Sequence, residues 1–279
     1  MSLTVVPFAE EHIEEAAALL AERHRCDRAW APGLPAAYEA VDAARSALVQ
    51  TFAEKGTRGF AAVRGGHLAG YMLGVPALMA PAELYAGFVR SRSAEVLFAG
   101  HAAEPADCGL LYRALYTELA DHWLADGLTA HYVTAPANRA TDDVWLDLGF
   151  ARFIEMGIVE TALAGAADDG PGDVTFRQAG PDDEDAVQTL VSELFRSFAD
   201  APIFVPFLPE TAAARRQSVT EHLADPTCPH WLALCDGQPV AMLLFKEPTS
   251  PHWHQSKMES PERGLYCYLA CTMPEPDTS

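Results

Sequence analysis

Residues 59–75 read GFAAVRGGHLAGYMLGV, and this stretch decides the fold. Two runs rich in apolar residues, 59–64 and 67–75, flank the dipeptide Gly65-Gly66. Glycine supplies the positive φ angles that a two-residue turn between antiparallel strands requires. The stretch therefore predicts a β-hairpin.

The chain before the hairpin predicts one strand and two helices. Residues 3–7 form a short apolar run that is typical of a strand. Residues 10–24 place apolar side chains at the 3.6-residue spacing of a helix, and residues 35–54 predict a second helix. The hairpin thus follows two helices.

The chain after the hairpin alternates between strands and helices. Periodicity predicts these further elements: a strand at 94–102, a helix at 107–126, a strand at 128–135, a short helix at 139–148 and one or two closing strands within 150–163. Gly127 and Gly149 each follow a helix, at the position where a left-handed residue ends it. The fold class expected is α/β (α+β) with a mixed sheet.

A second copy of this pattern follows a linker. Residues 164–173, AGAADDGPGD, contain no apolar side chain larger than alanine, which predicts a linker between a domain at 1–163 and a partial domain at 174–279. The second segment repeats the first at a constant shift and stops after the counterpart of the fourth strand, so we expect the N-terminal half of a domain. The matching pairs include Thr4 and Thr175, Leu19 and Leu190, Gly66 and Gly237, Leu73 and Leu244, and Glu104-Pro105 and Glu275-Pro276.

Composition excludes several classes of function. The formal net charge of −20 and the presence of only three lysines leave no basic surface for nucleic acid. No run of about 18 apolar residues predicts a membrane span, and no signal peptide is evident, so a cytoplasmic protein is expected. The six cysteines show no CxxC pair, so neither a metal site nor a disulfide framework is predicted. The oligomeric state stays open.

Three segments resemble the GNAT N-acetyltransferase superfamily. They are TVVPFAEEHIEEAAALLAE at the start, the hairpin, and above all NRATDDVWLDLGFARF at 138–153. The resemblance implies a sheet that splays open between its fourth and fifth strands, here 94–102 and 128–135. It also implies that acetyl-CoA, or another acyl-CoA, lies in this gap as the cosubstrate, where its pantetheine amides replace a missing strand.

The resemblance further implies that the cofactor pyrophosphate lies at the N-terminus of the 107–126 helix, where free N–H groups and the helix dipole favour an anion. The family motif Q/R-x-x-G-x-G/A is degenerate here, with Ala106 at the Q/R position, Gly109 at the first glycine and Leu111 at the last position. The cofactor-binding residues that it implies are Gly100, Ala102, Ala106, Asp107, Cys108, Gly109, Leu110, Leu111 and Asn138.

Asp107 opposes phosphate binding at this helix end. Aspartate is a favoured N-cap, so we expect its carboxylate to accept the N–H groups that a pyrophosphate needs. Two unit charges about 5 Å apart also repel by roughly 3 kcal/mol at an effective dielectric constant of about 20. The sequence therefore predicts a weakened phosphate site.

The resemblance implies a carboxylate base on the fourth strand and a tyrosine acid on the fourth helix. Glu95 is the candidate base, although an exposed charge at a strand end is the alternative. His101 could also be the base, or a hydrogen-bonded structural histidine. Trp145 stands at the expected tyrosine position, so Tyr112 and Tyr132 are the substitute candidates for the acid, each with a weaker geometric claim and each with a core residue as the alternative.

Three functions follow from these patterns. The first is transfer of an acyl group from acyl-CoA to a small amine; the acidic surface would favour a cationic amine, although genome composition explains the acidity equally well. The second is a catalytically inactive GNAT-fold module with a binding or regulatory role. The third is a shortened tandem enzyme whose function lay in a lost part.

Overall fold

The computed structural model describes residues 2–137, 139–161, 173–200, 203–250 and 256–273, without the side chains of 139–141. The chain divides into two compact units. Unit 1 comprises residues 1–78, 92–160 and 256–261, and unit 2 comprises 79–91, 161–255 and 262–279. The predicted linker lies outside the described residues except for Asp173, so the predicted boundaries stay predictions. None of the described helices is long and apolar enough to cross a membrane.

Unit 1 contains six strands and four helices among its described residues. In chain order they are β1 (Leu3–Pro7), α1 (Ile13–Trp30), α2 (Val41–Ala53), β2 (Arg58–Arg64), β3 (His67–Leu78), β4 (Arg92–Val96), β5 (His101–Ala103), α3 (Cys108–Ala125), β6 (Ala130–Val133) and α4 (Arg139–Asp147). The predicted hairpin is confirmed as β2 and β3, and Gly65 and Gly66 have φ angles of 61° and 86°.

The sheet of unit 1 is mixed, which confirms the predicted α+β fold class. Its strand order is β1-β2-β3-β4-β6, and β5 pairs with β3 beside this path. The pairs along the path are antiparallel except β4 with β6, which are parallel. A parallel pair needs a crossover between its strands, and α3 lies within that connection.

The prediction of one strand at 94–102 is wrong, because the chain leaves the sheet between β4 and β5. Val75 is opposite Glu95, and Met72 is opposite His101, so residues 96–100 lie opposite only Leu73 and Gly74. The additional residues form a 3₁₀ turn at Phe98–Gly100. Such an insertion bends a strand and redirects the side chains near it.

This turn opens the sheet between β4 and β6. The parallel ladder runs from Ser93 and Ala130 to Val96 and Val133, and Thr134 N then donates to Val96 O at 2.9 Å. After Val96 the chain continues into β5, which pairs with β3 and not with the residues that follow β6. The expected splay is present, but it begins after Val96, and β6 is shorter than the predicted strand at 128–135.

The predicted closing strands within 150–163 are also wrong for the described part of that range. Residues 151–160 are in no strand and are exposed. Their apolar residues include Ile154 and Val159, which are 68% and 75% exposed. A strand requires a hydrogen-bonded neighbour as well as apolar residues, and among the described residues this segment has no such neighbour.

Two apolar clusters pack against the faces of the unit 1 sheet. One joins α1, α2 and the turn at 98–100, and it includes Leu20, Leu48, Phe98 and Met258. The other joins α3 to the sheet and includes Leu111, Tyr112, Leu115, Trp123 and Trp145. The sheet is thus covered on both sides by helices, which fixes the position of the α3 N-terminus.

Unit 2 contains one antiparallel sheet of order β10-β9-β8-β7. Its elements are β7 (Val174–Gln178), α5 (Glu184–Ser197), α6 (Ala212–Ala224), β8 (His230–Cys235), β9 (Gln238–Lys246) and β10 (Tyr266–Thr272). Its core includes Val187, Leu190, Val219, Leu232 and Met242.

The elements of unit 2 match those of unit 1 at a constant shift. Three elements of each unit begin 171 residues apart: the first strand (β1 and β7), the second helix (α2 and α6) and the second hairpin strand (β3 and β9). The register shift between Ala62 and Val63 recurs between Ala233 and Leu234. The two turn residues Asp236 and Gly237 again have positive φ angles.

Gly74 tests the packing between β3 and α3. A Cβ atom at Gly74 would overlap the indole ring of Trp123, which is 1% exposed. Gly74→Ala should therefore lower the free energy of unfolding by about 1–3 kcal/mol through overpacking. Gly157→Ala is the matched control, since nothing lies within 4 Å of its Cβ position. Equal urea midpoints for the two variants would contradict this packing.

Candidate active site

Arg23 holds the turn that separates β4 from β5. Its guanidinium donates to Phe98 O at 2.7 Å and to His101 O at 2.5 Å, and it lies 4.7 Å from the centre of the Phe98 ring. Its side chain is 9% exposed, and Asp27 accepts from Arg23 Nε at 3.2 Å. A buried, paired guanidinium thus satisfies the carbonyl groups that the sheet leaves unpaired.

Glu95 lies within β4 and not at an exposed strand end. Its backbone is opposite Val75 on one side and Tyr132 on the other. Thr134 Oγ1 donates to Glu95 Oε1 at 3.1 Å, and burial raises the pKa of this carboxyl above its usual value. A half-buried carboxylate beside the opening of the sheet has the environment of a general base.

His101 and Tyr112 form one buried hydrogen-bonded pair. Tyr112 Oη lies 2.8 Å from His101 Nδ1, and His101 Nε2 lies 3.2 Å from Thr134 O. Because a carbonyl oxygen only accepts, Nε2 carries the proton and Nδ1 accepts from the tyrosine. Burial holds the pKa of His101 well below its ordinary value and raises the pKa of Tyr112 well above its own. The pair is neutral.

Trp145 of α4 packs against both His101 and Tyr112. Its ring stacks on Tyr112 at 5.1 Å and meets His101 edge to face at 5.4 Å. Trp145 is 5% exposed, and its Nε1 has no hydrogen-bond partner in the described part of the chain. Tyr132 is half-buried on β6, with its ring 6.2 Å from that of Phe153. The structure therefore groups His101, Tyr112 and Trp145, and it leaves Tyr132 apart from them.

Asp107 does not cap α3 with its side chain, so the prediction of a self-capping aspartate is wrong. The residue is at the N-cap position, but its carboxylate accepts from Arg64 Nη1 at 2.5 Å. Glu104 Oε2 lies 3.7 Å from the same nitrogen. A charge-assisted bond to arginine replaces the weaker bonds to backbone N–H groups. The amides at this helix end thus have no side-chain cap.

The other residues of the predicted cofactor site surround this helix end. Gly100 and Ala102 are buried, and a Cβ atom at Gly100 would approach Leu73 O to 2.8 Å. Burial raises the pKa of the Cys108 thiol to about 11, so the thiol is inert at neutral pH. The remaining positions are Ala106 and Leu110, which are exposed, Gly109, which is partly buried, Leu111, which is buried, and Asn138, which lies outside the described residues.

Glu259 is a carboxylate that the sequence did not single out. It lies in the segment 256–261, which belongs to unit 1. Ser256 N donates to Glu259 Oε1 at 2.8 Å. The pKa of Glu259 is raised to about 7, because burial and the negative charge of Glu95 raise it more than the bond from Ser256 N and the charge of Arg23 lower it.

Arg23 and Arg64 were not predicted as site residues, although the sequence around each contains a signal. Arg23 lies three residues after Leu20, next to the apolar stripe of α1, and a charged residue at that position is a candidate for a buried interaction. Arg64 ends the predicted strand before the hairpin turn. Glu259 left none, because it stands in a segment without periodicity.

No protein-family model and no curated protein matches the chain. Several solved structures resemble it. A GCN5-related N-acetyltransferase from Ralstonia eutropha JMP134 is 15% identical, with a TM-score of 0.43 over 59% of this chain and 100% of that one. A ribosomal-protein-alanine N-acetyltransferase from Brucella melitensis biovar Abortus 2308 is 15% identical, with a TM-score of 0.40 over 57% and 99%.

A third solved structure is an aminoglycoside antibiotic 6′-N-acetyltransferase from Acinetobacter haemolyticus, 14% identical, with a TM-score of 0.40 over 57% of this chain and 97% of that one. The chain is similar to these three solved structures, whose names are those of N-acetyltransferases. At these identities the similarity is one of fold.

Tyr112 tests the buried pair. Tyr112→Phe leaves His101 Nδ1 without a donor at a site closed to water, so the free energy of unfolding should fall by about 1–3 kcal/mol. Tyr116→Phe is the matched control, because the Tyr116 hydroxyl contacts His131 Nδ1 at 2.8 Å but both side chains are only half-buried. Its loss should stay below about 1 kcal/mol. Urea denaturation checks both, and a larger loss in Tyr116→Phe would contradict the assignment.

Proposed function

We propose that unit 1 is an acyl-CoA-dependent N-acyltransferase of the GNAT type. Acetyl-CoA is the proposed cosubstrate, and a small amine is the proposed acceptor. When bound, the thioester supplies an activated acyl group. The chain's own residues would bind the cosubstrate, orient the amine and accept its proton.

The observation that carries this proposal is the N-terminus of α3, which has no side-chain cap although an aspartate occupies the N-cap position. The first N–H groups of a helix need partners, and an anion is a favoured one. The pairing of Asp107 with Arg64 reduces the charge repulsion that the sequence predicted. The amides of residues 108–110 are thus the groups proposed to hold the pyrophosphate, with Arg64 as a nearby cation.

The opening between β4 and β6 supports the same proposal. The two strands stay paired up to Val96 and Val133, and the chain then divides between the turn at 97–100 and the segment after Thr134. An amide-bearing chain can bond to backbone groups in such an opening as an additional strand would. We assign the pantetheine arm to this opening.

Glu95 is the proposed base because it combines partial burial with a position beside the opening. His101 as a base and Tyr112 as an acid stay predictions. In the structure they bond to each other, and each is at most 1% exposed. We therefore propose that this pair positions the turn and the α3 helix, while Glu95 accepts the proton of the amine.

We infer that unit 2 arose by duplication of the first part of unit 1. The shift of 171 residues between the starts of β1 and β7, α2 and α6, and β3 and β9 supports this. The recurrence of the register shift and of the two positive φ angles supports it independently, because neither is required by a helix or a strand.

Binding of acetyl-CoA tests the proposed function. A ligand present at about 100 times its dissociation constant stabilises the folded state by about 2.7 kcal/mol, which should raise Tm by roughly 5 °C. Thermal denaturation with acetyl-CoA, and with adenosine as the control without a pyrophosphate, measures this. An unchanged Tm at millimolar acetyl-CoA would contradict the proposal and favour an inactive GNAT-fold module.

Asp107 tests the placement of the pyrophosphate. Asp107→Asn removes a negative charge at the α3 N-terminus, so acetyl-CoA should bind about 2-fold to 10-fold more tightly, with a smaller gain at high salt. Asp126→Asn is the matched control, because Asp126 pairs with Arg58 at the opposite end of α3. Calorimetric titration gives both affinities. Weaker binding by Asp107→Asn would place the phosphates elsewhere.

A further inference from the structure

We propose that unit 2 binds a small monovalent anion of the size of chloride, held by the buried guanidinium of Arg215 and the hydroxyl group of Ser218. The anion is the counter-ion that Arg215 lacks within the part of the chain that the structure describes. The site is independent of the function proposed for unit 1, because every described residue that lines it belongs to unit 2.

Arg215 occupies a position of α6 at which the fold requires no charge. At the shift of 171 residues, its counterpart in unit 1 is Ala44 of α2, which is fully buried in an apolar cluster. Arg215 is also buried, at 3% exposure. Unit 2 thus places a guanidinium at a core position that a methyl group occupies in unit 1. Because arginine is rarely buried unless it is paired, this charge needs an explanation of its own.

The contacts of Arg215 satisfy part of the guanidinium but do not balance its charge. Its Nη1 donates to Leu208 O at 3.2 Å and to Thr211 Oγ1. The guanidinium carbon lies 4.2 Å from the centre of the Phe207 ring. Its Nε is buried and has no hydrogen-bond partner among the described residues. All of these partners are neutral, so one N–H donor and the positive charge stay uncompensated.

No carboxylate among the described residues forms an ion pair with Arg215. Two arginines near it in the chain are paired, Arg196 with Glu193 and Arg216 with Glu184. Burial lowers the pKa of Arg215, and the positive charge of Arg196 lowers it further. A buried charge without a counter-ion is costly, and a bound anion offsets that cost.

A cavity of unit 2 lies against this guanidinium. Its lining includes Arg215, Ser218 and His222, which follow one face of α6 because residues three or four apart share a face. The other described lining residues are apolar except His230 and Tyr268, and none is an aspartate or a glutamate. An anion in the cavity therefore meets the donors of α6 without an opposing carboxylate. The apolar surroundings strengthen its attraction to the guanidinium.

The size of the cavity selects the anion. The centre of a water molecule can move within about 20 Å³ of it. Because about 10–15 Å³ of such space holds one water, the cavity has room for one or two waters or for a single anion of similar size, such as chloride. A nucleotide or a sugar phosphate is too large for this space.

Ser218 supplies the second donor. Its Oγ lies 3.2 Å from His222 Nδ1. With the proton on Nδ1, the serine accepts from the histidine, and its own hydroxyl hydrogen is available to the anion. Arg215 Nε and Ser218 Oγ are thus the two groups that would donate to the anion.

The experiment uses the full chain and sodium chloride as the probe. Sodium gluconate at the same ionic strength is the control, because gluconate is too large for the cavity. At about ten times its dissociation constant, chloride should raise Tm by roughly 3 °C relative to gluconate. Equal Tm values in the two salts throughout the titration would overturn the inference.

Arg215→Met removes the charge and keeps most of the length of the side chain. The rise in Tm that is specific to chloride should vanish, and the excess ³⁵Cl NMR line width that reports bound chloride should fall at least about 5-fold. Arg216→Met is the matched control, since it removes an exposed arginine at the next position, and it should retain both responses. A folded Arg215→Met protein with the full chloride response would overturn the inference.

Ser218→Ala keeps the guanidinium and removes only the second donor, so it tests the site without a change of charge in the core. Chloride should bind about 3-fold to 10-fold more weakly to this variant, as the loss of one hydrogen bond predicts. The titration of Tm with sodium chloride measures the change. An unchanged affinity in Ser218→Ala would contradict the proposed pair of donors.

Discussion

The buried guanidinium of Arg23 is the interaction on which the candidate site depends. It reaches from α1 to the carbonyl groups of Phe98 and His101, at the point where the chain leaves the sheet. Without a donor there, those two carbonyls would be buried and unpaired, at a cost of about 1–3 kcal/mol each. One helix side chain thus maintains the break between β4 and β5.

Each part of the candidate site follows from that break. The sheet opens after Val96, which leaves Glu95 at the edge of the opening. β5 then brings His101 under α3, where Tyr112 and Thr134 O satisfy both of its ring nitrogens. α3 begins directly after this, and the pairing of Asp107 with Arg64 leaves its first amides without a side-chain cap. The chemistry proposed for unit 1 needs all three features in this order.

Sequence patterns predicted the features that depend on residues adjacent in the chain. The hairpin around Gly65 and Gly66 and the helix stop at Gly127 depend on neighbours in sequence, and the structure has both. The break at 97–100 depends on Arg23, and the state of Asp107 depends on Arg64, so neither follows from periodicity. For the exposed segment 151–160 the apolar pattern predicted a strand that the structure does not have, because apolar residues alone do not make a strand. The partial burial of Glu259 in unit 1 depends entirely on tertiary packing.

The most direct test of the account is amide hydrogen exchange, resolved by mass spectrometry, with and without acetyl-CoA. If acyl-CoA lies in the opening and against α3, exchange should slow in the peptides that contain residues 97–100 and 108–110, because amides there gain acceptors. The peptides of β1 should not change, because β1 lies at the far edge of the sheet from β6. Unchanged exchange at both the turn and the helix N-terminus, under conditions where acetyl-CoA binds, would contradict the account.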